Sequence, residues 1–156
     1  RRHDLHGRQV GVGTILSAAL YERLFALENP ELVALPEAVD TDFWKTPALT
    51  AAVRQQYEAK KPAVAAVRRK LATPVSWHRL RSRLAPAAKP AETIRQWLRR
   101  AAGATTAEEI GCTRETLRAA TLHMHEIRKR FTVVDLAWMA GILPEAADDI
   151  IDQWLS

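Results

Sequence analysis

The apolar residues of the chain recur with helical spacing, and the first long segment is also free of charge. From Gln9 to Tyr21 there is no charged residue, and the apolar side chains point in most directions around a helical axis, which is typical of a helix buried on nearly all sides. We therefore expect a central first helix over residues 7–27, ended by Asn29-Pro30. The uncharged run is too short to span a bilayer, which takes about 20 apolar residues.

Shorter amphipathic patterns, punctuated by proline, fill the middle of the chain. Residues 37–45 predict one short helical turn within a loop. A helix beginning at Ala48 is expected to kink or break at Pro62, because proline lacks the N–H that the helix needs. Further helices are predicted to begin at Thr73-Pro74 and at Pro90.

The last third of the chain carries clear helix-capping signals. Thr106 and Glu109 match a capping box for a short helix that ends at Gly111. Thr113 is placed to cap a long helix that continues to Phe131, with Arg118, His125 and Lys129 on its polar face. The predicted apolar stripe of this helix consists of Leu117, Ala120, Met124, Ile127 and Phe131.

Two short helices complete the pattern, one over residues 133–140 closed by Gly141 and one opened by Pro144. No run of β-branched residues alternates with period two over a useful length. The sequence thus predicts an all-α fold, a bundle of about seven or eight helices around a buried N-terminal helix. At 156 residues the chain fits one domain spanning residues 1–156.

Composition narrows the class of protein without deciding its function. The net charge of +5 leaves nucleic acid or an anionic substrate open as a partner, but 18 acidic residues interleaved with the basic ones favour an ordinary, mildly basic surface. The single cysteine, Cys112, excludes an intramolecular disulfide and suits a reducing cytoplasm. No signal peptide is recognisable, so we expect a cytoplasmic protein with no membrane partner. Because the sequence does not begin with Met, we expect it to be a piece of a longer chain.

Histidine provides the candidate metal ligands. His3 and His6 have the i, i+3 spacing that places two side chains on one side of a helix, but two imidazoles do not complete a zinc or iron site. His123 and His125 lie two residues apart, about 200° around a helix, and cannot chelate one ion from there. We expect both of these to be ordinary surface histidines.

Cys112 and the glycines near the N-terminus are weaker candidates. Cys112 precedes a predicted helix whose N-terminal dipole could lower the thiol pKa, but no histidine partner is identifiable, and a half-buried loop residue is the expectation. Gly11 and Gly13 do not form a phosphate-binding fingerprint, because no strand precedes them and the third glycine is missing. We expect these small residues to let another backbone come close.

An alternative interpretation is a nucleic-acid-binding module. Residues 106–130 resemble a helix-turn-helix, with a short helix, a turn at Gly111 and a second helix that carries arginine. The length of the second helix speaks against this interpretation, as do Glu108, Glu109 and Glu115, which would repel phosphate. Nucleic acid is therefore not the expected partner.

Three segments together resemble a known family. Residues 5–14, Leu-His-Gly-Arg-Gln-Val-Gly-Val-Gly-Thr, are similar to the Leu-His-Gly-x-x-Val-x-x-Gly-Thr segment of the sn-glycerol-1-phosphate dehydrogenase (AraM-like) branch of the iron-containing alcohol dehydrogenase and glycerol dehydrogenase superfamily. Residues 102–111 and 127–137 resemble later helices of the same branch. The resemblance covers nearly the whole chain.

The resemblance implies that this chain is the C-terminal helical domain of a two-domain oxidoreductase, like the C-terminal domain of dehydroquinate synthase-like enzymes. Such an enzyme transfers hydride between NAD(P)H and dihydroxyacetone phosphate, with a divalent metal (Zn, Fe or Ni) in the cleft between its domains. The partners implied are an N-terminal nucleotide-binding domain, which would bind most of the NAD(P), and a phosphorylated small-molecule substrate. Association into a homodimer is left open.

The family holds its metal with one Asp and two His, and the later His precedes Gly in the first motif. That role transfers to His6 alone, since the other two ligands would lie upstream and His3 matches neither position. Catalytic and cofactor-binding residues are not assigned. With one metal ligand and no nucleotide-binding motif, this chain by itself is expected to be inactive.

Overall fold

The computed structural model describes residues 6–156, and these form helices, turns and loops without a strand, as the all-α prediction requires. No helix in this part of the chain is long and apolar enough to cross a membrane. Besides one 3₁₀ turn, Glu108–Ile110, the described residues form eight α-helices: α1 His6–Ala26, α2 Thr41–Trp44, α3 Pro47–Lys70, α4 Pro74–Leu84, α5 Ala91–Arg100, α6 Arg114–His123, α7 Val133–Met139 and α8 Ala147–Trp154.

Helix α1 is the central element, as predicted, because it packs against α5, α7 and α8. Its core-facing residues, among them Ile15 and Leu20, are fully buried. Burial on nearly all sides is wrong, however, since Val10 is 50% exposed and Gly13 and Thr14 are also exposed. These positions share one side of the helix. No element of residues 6–156 covers that side.

Helix α3 runs without a break through Pro62, so of the predicted kink or break the break is wrong. Proline at this position deprives the carbonyl of Glu58 of its helical N–H donor. Both residues are exposed, and water can therefore replace the missing donor.

Helix α6 ends at His123 and not near Phe131, so the long helix is also a wrong prediction. Residues 124–126 form a turn, and Ile127 is 39% exposed where the predicted stripe required burial. The turn is stabilised from a distant part of the chain, because the buried Lys60 ammonium donates to the carbonyl of His125. Helical periodicity is a weaker constraint than such a tertiary contact.

The short-range capping signals are confirmed. Thr113 caps α6 by accepting a hydrogen bond from the backbone N–H of Thr116 at 3.2 Å. Gly111 has a left-handed backbone with φ of 65°, which ends the 3₁₀ turn as predicted. The last helix, α8, begins at Ala147, three residues after Pro144, because a turn intervenes.

Two apolar clusters hold these elements together. The main cluster surrounds α1 and includes Leu16, Trp77 and Ile150. A smaller one joins the loop before α2 to α3 through Val39 and Tyr57.

Candidate functional site

His6 is the first residue of α1, and its side chain is exposed. It therefore lies at the N-terminal end of the central helix of the fold, where the helix leaves the core. No acidic residue occupies the first turn of α1 itself, whose backbone N–H groups carry a partial positive charge. His6 is thus an accessible imidazole on a rigid element.

The N-terminal half of α1 is held close to α5 by glycine. A Cβ on Gly11 would lie 3.2 Å from the carbonyl oxygen of Ala104 and 3.2 Å from the Leu98 side chain. The predicted close backbone approach is therefore confirmed at Gly11. It is wrong at Gly13, where nothing lies within 4 Å of such a Cβ.

A second contact anchors the first turn of α1. The guanidinium of Arg8 donates to the backbone carbonyl of Glu109 at 2.7 Å. The Glu109 carboxylate in turn accepts the backbone N–H groups of Thr105 and Thr106 at 2.7 and 3.0 Å, which complete the predicted capping box and lower the pKa of Glu109. The loop that follows α5 is thereby tied to the helix that carries His6.

The exposed side of α1 continues from His6 through Val10 and Gly13 to Ser17, at helical spacing. From Val10 to Ser17 it carries no charge, since these residues belong to the uncharged run from Gln9 to Tyr21. The hydroxyl of Ser17 donates to the carbonyl of Gly13 at 2.8 Å, so it is already engaged within the helix. This surface of small, uncharged residues is what another polypeptide can pack against.

The described residues contain one part of a metal site at most. No group of three or more His, Cys, Asp or Glu side chains in residues 6–156 is arranged to hold a metal ion. His3, the other N-terminal candidate, lies outside the described residues. An imidazole nitrogen is a suitable ligand for Zn²⁺, Fe²⁺ or Ni²⁺, so His6 fits the role of one ligand and needs further ligands from elsewhere.

His123, at the end of α6, and His125, in the turn after it, are not ordinary surface residues, and that prediction is wrong. His125 is buried, and the loss of hydration lowers its pKa. Its Nδ1–H donates to the carbonyl of Leu122 at 2.8 Å, and its ring contacts the ring of Trp138 with centroids 4.8 Å apart. His125 was assigned to a polar helix face that does not exist, because α6 has ended before it.

His123 belongs to an aromatic and acidic contact between the same turn and α2. Its ring stacks on Phe43 with centroids 3.7 Å apart, and its Nδ1 lies 3.2 Å from the Glu126 carboxylate. Glu126 is buried and also accepts the indole N–H of Trp44. These contacts fasten α2 to the turn.

Sequence reasoning missed a buried ion pair between α3 and α7. Lys60 and Asp135 are 1% and 0% exposed, and the ammonium of Lys60 donates to the Asp135 carboxylate. The other carboxylate oxygen accepts the backbone N–H and the hydroxyl of Thr132 at 2.7 and 2.9 Å, which caps α7. The Thr-x-x-Asp spacing was the signal for this cap, whereas a lone lysine within a helical pattern predicts exposure.

Cys112 is half-buried, as expected. Burial raises the pKa of its thiol, which is the opposite of the shift that a helix N-terminus would cause. The structure therefore provides no activation of Cys112 as a nucleophile.

Two features of the structure speak against the helix-turn-helix interpretation. Its first helix is the single 3₁₀ turn Glu108–Ile110. The arginines of its second helix, Arg114 and Arg118, pair with Asp148 and Asp152 of α8 at 2.7 to 2.9 Å, and these contacts lower the pKa of both aspartates. The cations that would contact phosphate thus already have carboxylate partners.

Comparisons of the chain with protein-family models, with curated proteins and with solved structures give no match.

Proposed function

We propose that this chain is the metal-ligating helical half of an NAD(P)H-dependent oxidoreductase of the sn-glycerol-1-phosphate dehydrogenase type. The observation that carries the proposal is the position of His6, an exposed imidazole that begins the central helix of the fold. In this proposal His6 supplies one nitrogen ligand to a divalent Zn, Fe or Ni ion. Bound there, the metal acts as a Lewis acid that polarises the carbonyl of dihydroxyacetone phosphate.

The anchoring of α1 supports this role for His6. A catalytic ligand must be held to within a fraction of an ångström, and sites on packed helices meet that demand better than sites on loops. Gly11 and Arg8 tie the first two turns of α1 to the residues that follow α5. The imidazole therefore projects from a backbone that the rest of the fold positions.

The N-terminal end of α1 supports an anionic substrate in the same place. The backbone N–H groups of a first helical turn lack intrahelical partners, and they favour negative charge. In α1 no acidic side chain of the first turn competes for them. In the proposed enzyme this helix end would favour the phosphate or the developing alkoxide of the substrate.

The uncharged exposed side of α1 supports a second domain. An exposed strip without charge along a central helix is a surface that another domain can cover. In the proposal the nucleotide-binding domain covers this strip and provides the remaining Asp and His ligands. Residues 6–156 alone would then bind neither cofactor nor substrate productively.

The test is a His6→Ala substitution in the complete protein. We expect loss of bound metal and at least about a 100-fold loss of dihydroxyacetone phosphate reduction, because even an outer-shell change costs 10- to 100-fold. The unfolding midpoint should stay close to wild type, since the side chain is exposed.

The matched control is His78→Ala, which removes another exposed histidine, on α4. Metal content and turnover of this control should equal those of the wild type. Unchanged activity in His6→Ala, or an equal loss in both variants, would remove the proposed function.

A further inference from the structure

Two shallow grooves on the surface share the side chains of Tyr21 and Leu84. The first encloses about 340 Å³ between α1, residues 84–89 and α5. The second encloses about 330 Å³ between α3, α4 and α7. The two grooves therefore adjoin at Tyr21 and Leu84, and together we call them the Tyr21 groove.

The floor of the Tyr21 groove is apolar. Tyr21 and Phe25 stack with their ring centroids 5.6 Å apart, and Leu84 is 38% exposed. Further apolar side chains line it, among them Ala18, Leu80, Ala88, Ile94 and Leu136. The hydroxyls of Thr14 and Ser17 at its edge already donate to backbone carbonyls. A bound molecule would therefore make apolar contacts along most of the groove.

The charged side chains that line this floor are all basic. Lys89 lines the first part and Lys70 the second, and none of the described lining residues is Asp or Glu. Both lysines belong to residues 59–91, which contain nine Lys or Arg and no Asp or Glu. Neither lysine forms an ion pair within residues 6–156.

Further basic residues flank the part of the groove that Lys70 lines. Arg69 precedes Lys70, and the exposed run at residues 128–130, Arg-Lys-Arg, leads directly into Phe131 and Thr132, which line the same part of the groove. A negatively charged group is therefore attracted to this part more strongly than to the part near Lys89.

We propose that the Tyr21 groove binds a single-chain anionic amphiphile. Its phosphate or carboxylate head lies at Lys70, and its alkyl chain runs over Tyr21 and Leu84 toward Ile94. Tyr21 is 15 residues after His6, or roughly 22 Å along α1, so this site is separate from the proposed metal ligand. A nucleic acid would use the cations and leave the apolar floor empty.

The first test is an isothermal calorimetric titration of the chain with alkyl phosphates, kept below their micelle-forming concentrations. Saturable binding of one molecule per chain is expected, with affinity rising about two- to fourfold for each added methylene, the upper limit being that of full burial. An alkyltrimethylammonium ion of equal chain length should bind at least tenfold more weakly. Equal binding of the cation, or no gain with chain length, would overturn the proposal.

The second test uses two charge insertions in the same helix. Leu84→Glu places a carboxylate in the groove and should abolish binding, whereas Val75→Glu, at a residue that is 69% exposed and outside the groove, should leave the affinity unchanged. Amide chemical shifts of the wild type with decyl phosphate should move at Tyr21 and Leu84, which checks the site without any substitution. Shifts confined to other residues would contradict the assignment.

The head position is tested by charge reversal. Lys70→Glu should weaken decyl phosphate binding about tenfold, the effect of losing one charged contact, and Lys89→Glu should weaken it less. The same pair measured with decanoate shows whether a carboxylate is held as well as a phosphate. A larger effect at Lys89 would place the head at the wrong end and overturn the arrangement. If duplex DNA bound tightly, and if Lys70→Glu but not Leu84→Glu abolished that binding, the ligand of this surface would be a nucleic acid and the proposal would be overturned.

Discussion

Replacement of Asp135 by Asn tests the buried contact between α3 and α7 most sharply. In the native protein the ammonium of Lys60 has two described acceptors, the Asp135 carboxylate and the carbonyl of His125. An asparagine can still cap α7 by accepting from Thr132, but its amide N–H groups then face the ammonium. Lys60, which is 1% exposed, keeps one acceptor and loses its counter-charge.

The expected cost follows from this geometry. Removal of one partner from a buried ion pair destabilises by about 3–5 kcal/mol, because the other charge stays buried without compensation. Lys60→Met should cost less, about 2–3 kcal/mol, since Asp135 retains both donors of Thr132. The double variant should cost less than the sum of the two, because neither charge remains alone.

Urea unfolding followed by far-ultraviolet circular dichroism gives the free energies for all four proteins. The matched control is Glu58→Gln, which breaks the exposed pair with Lys61 and should cost under about 1 kcal/mol. A cost below about 1 kcal/mol for Asp135→Asn, or strictly additive effects in the cycle, would refute the reasoning.

Three further predictions concern stability. Burial lowers the pKa of His125, so between that pKa and the ordinary value near 6.5 the unfolded chain binds more protons than the folded one. The free energy of unfolding should therefore fall as the pH drops below 6.5. Urea unfolding at several pH values should show this slope in the wild type and a weaker slope in His125→Gln. Gly11→Ala should destabilise by about 1 kcal/mol, because its Cβ would press on the carbonyl of Ala104 and the Leu98 side chain. Gly13→Ala, with open space around it, should stabilise by up to about 1 kcal/mol through helix propensity. Thermal unfolding compares the two glycine variants, and a stabilised Gly11→Ala would contradict the close approach.

The local features of the fold could be predicted because their causes lie within a few residues. Thr113 and Glu109 cap their helices through contacts three or four residues away, and Gly111 ends its turn through its own backbone. Such signals are legible in sequence because they need no knowledge of the remaining chain.

The wrong predictions have causes that are distant in sequence. The end of α6 depends on Lys60, 65 residues away from the carbonyl of His125 that it contacts. Pro62 is tolerated because its side of α3 faces solvent, and that follows from which face of α3 the core selects. The pairing of Lys60 with Asp135 was invisible for the same reason, since it depends on how α3 and α7 meet.

For the candidate site, too, local features could be predicted from the sequence and distant ones could not. The position of His6 near the start of the central helix could be predicted, because an uncharged run begins three residues after it, at Gln9. The further ligands that the proposed function requires could not be located, as no set of three suitable side chains converges among residues 6–156. The exposed side of α1 was also missed, because periodicity shows which residues are apolar and not which are covered.

The most direct test of the proposed function is anomalous diffraction from crystals of the complete protein loaded with Zn²⁺, recorded at the zinc absorption edge. We expect an anomalous peak within about 2.0–2.1 Å of an imidazole nitrogen of His6, the usual zinc–nitrogen distance, with the other ligands provided by residues outside 6–156. A fully loaded protein whose zinc lies away from His6 would contradict the central claim.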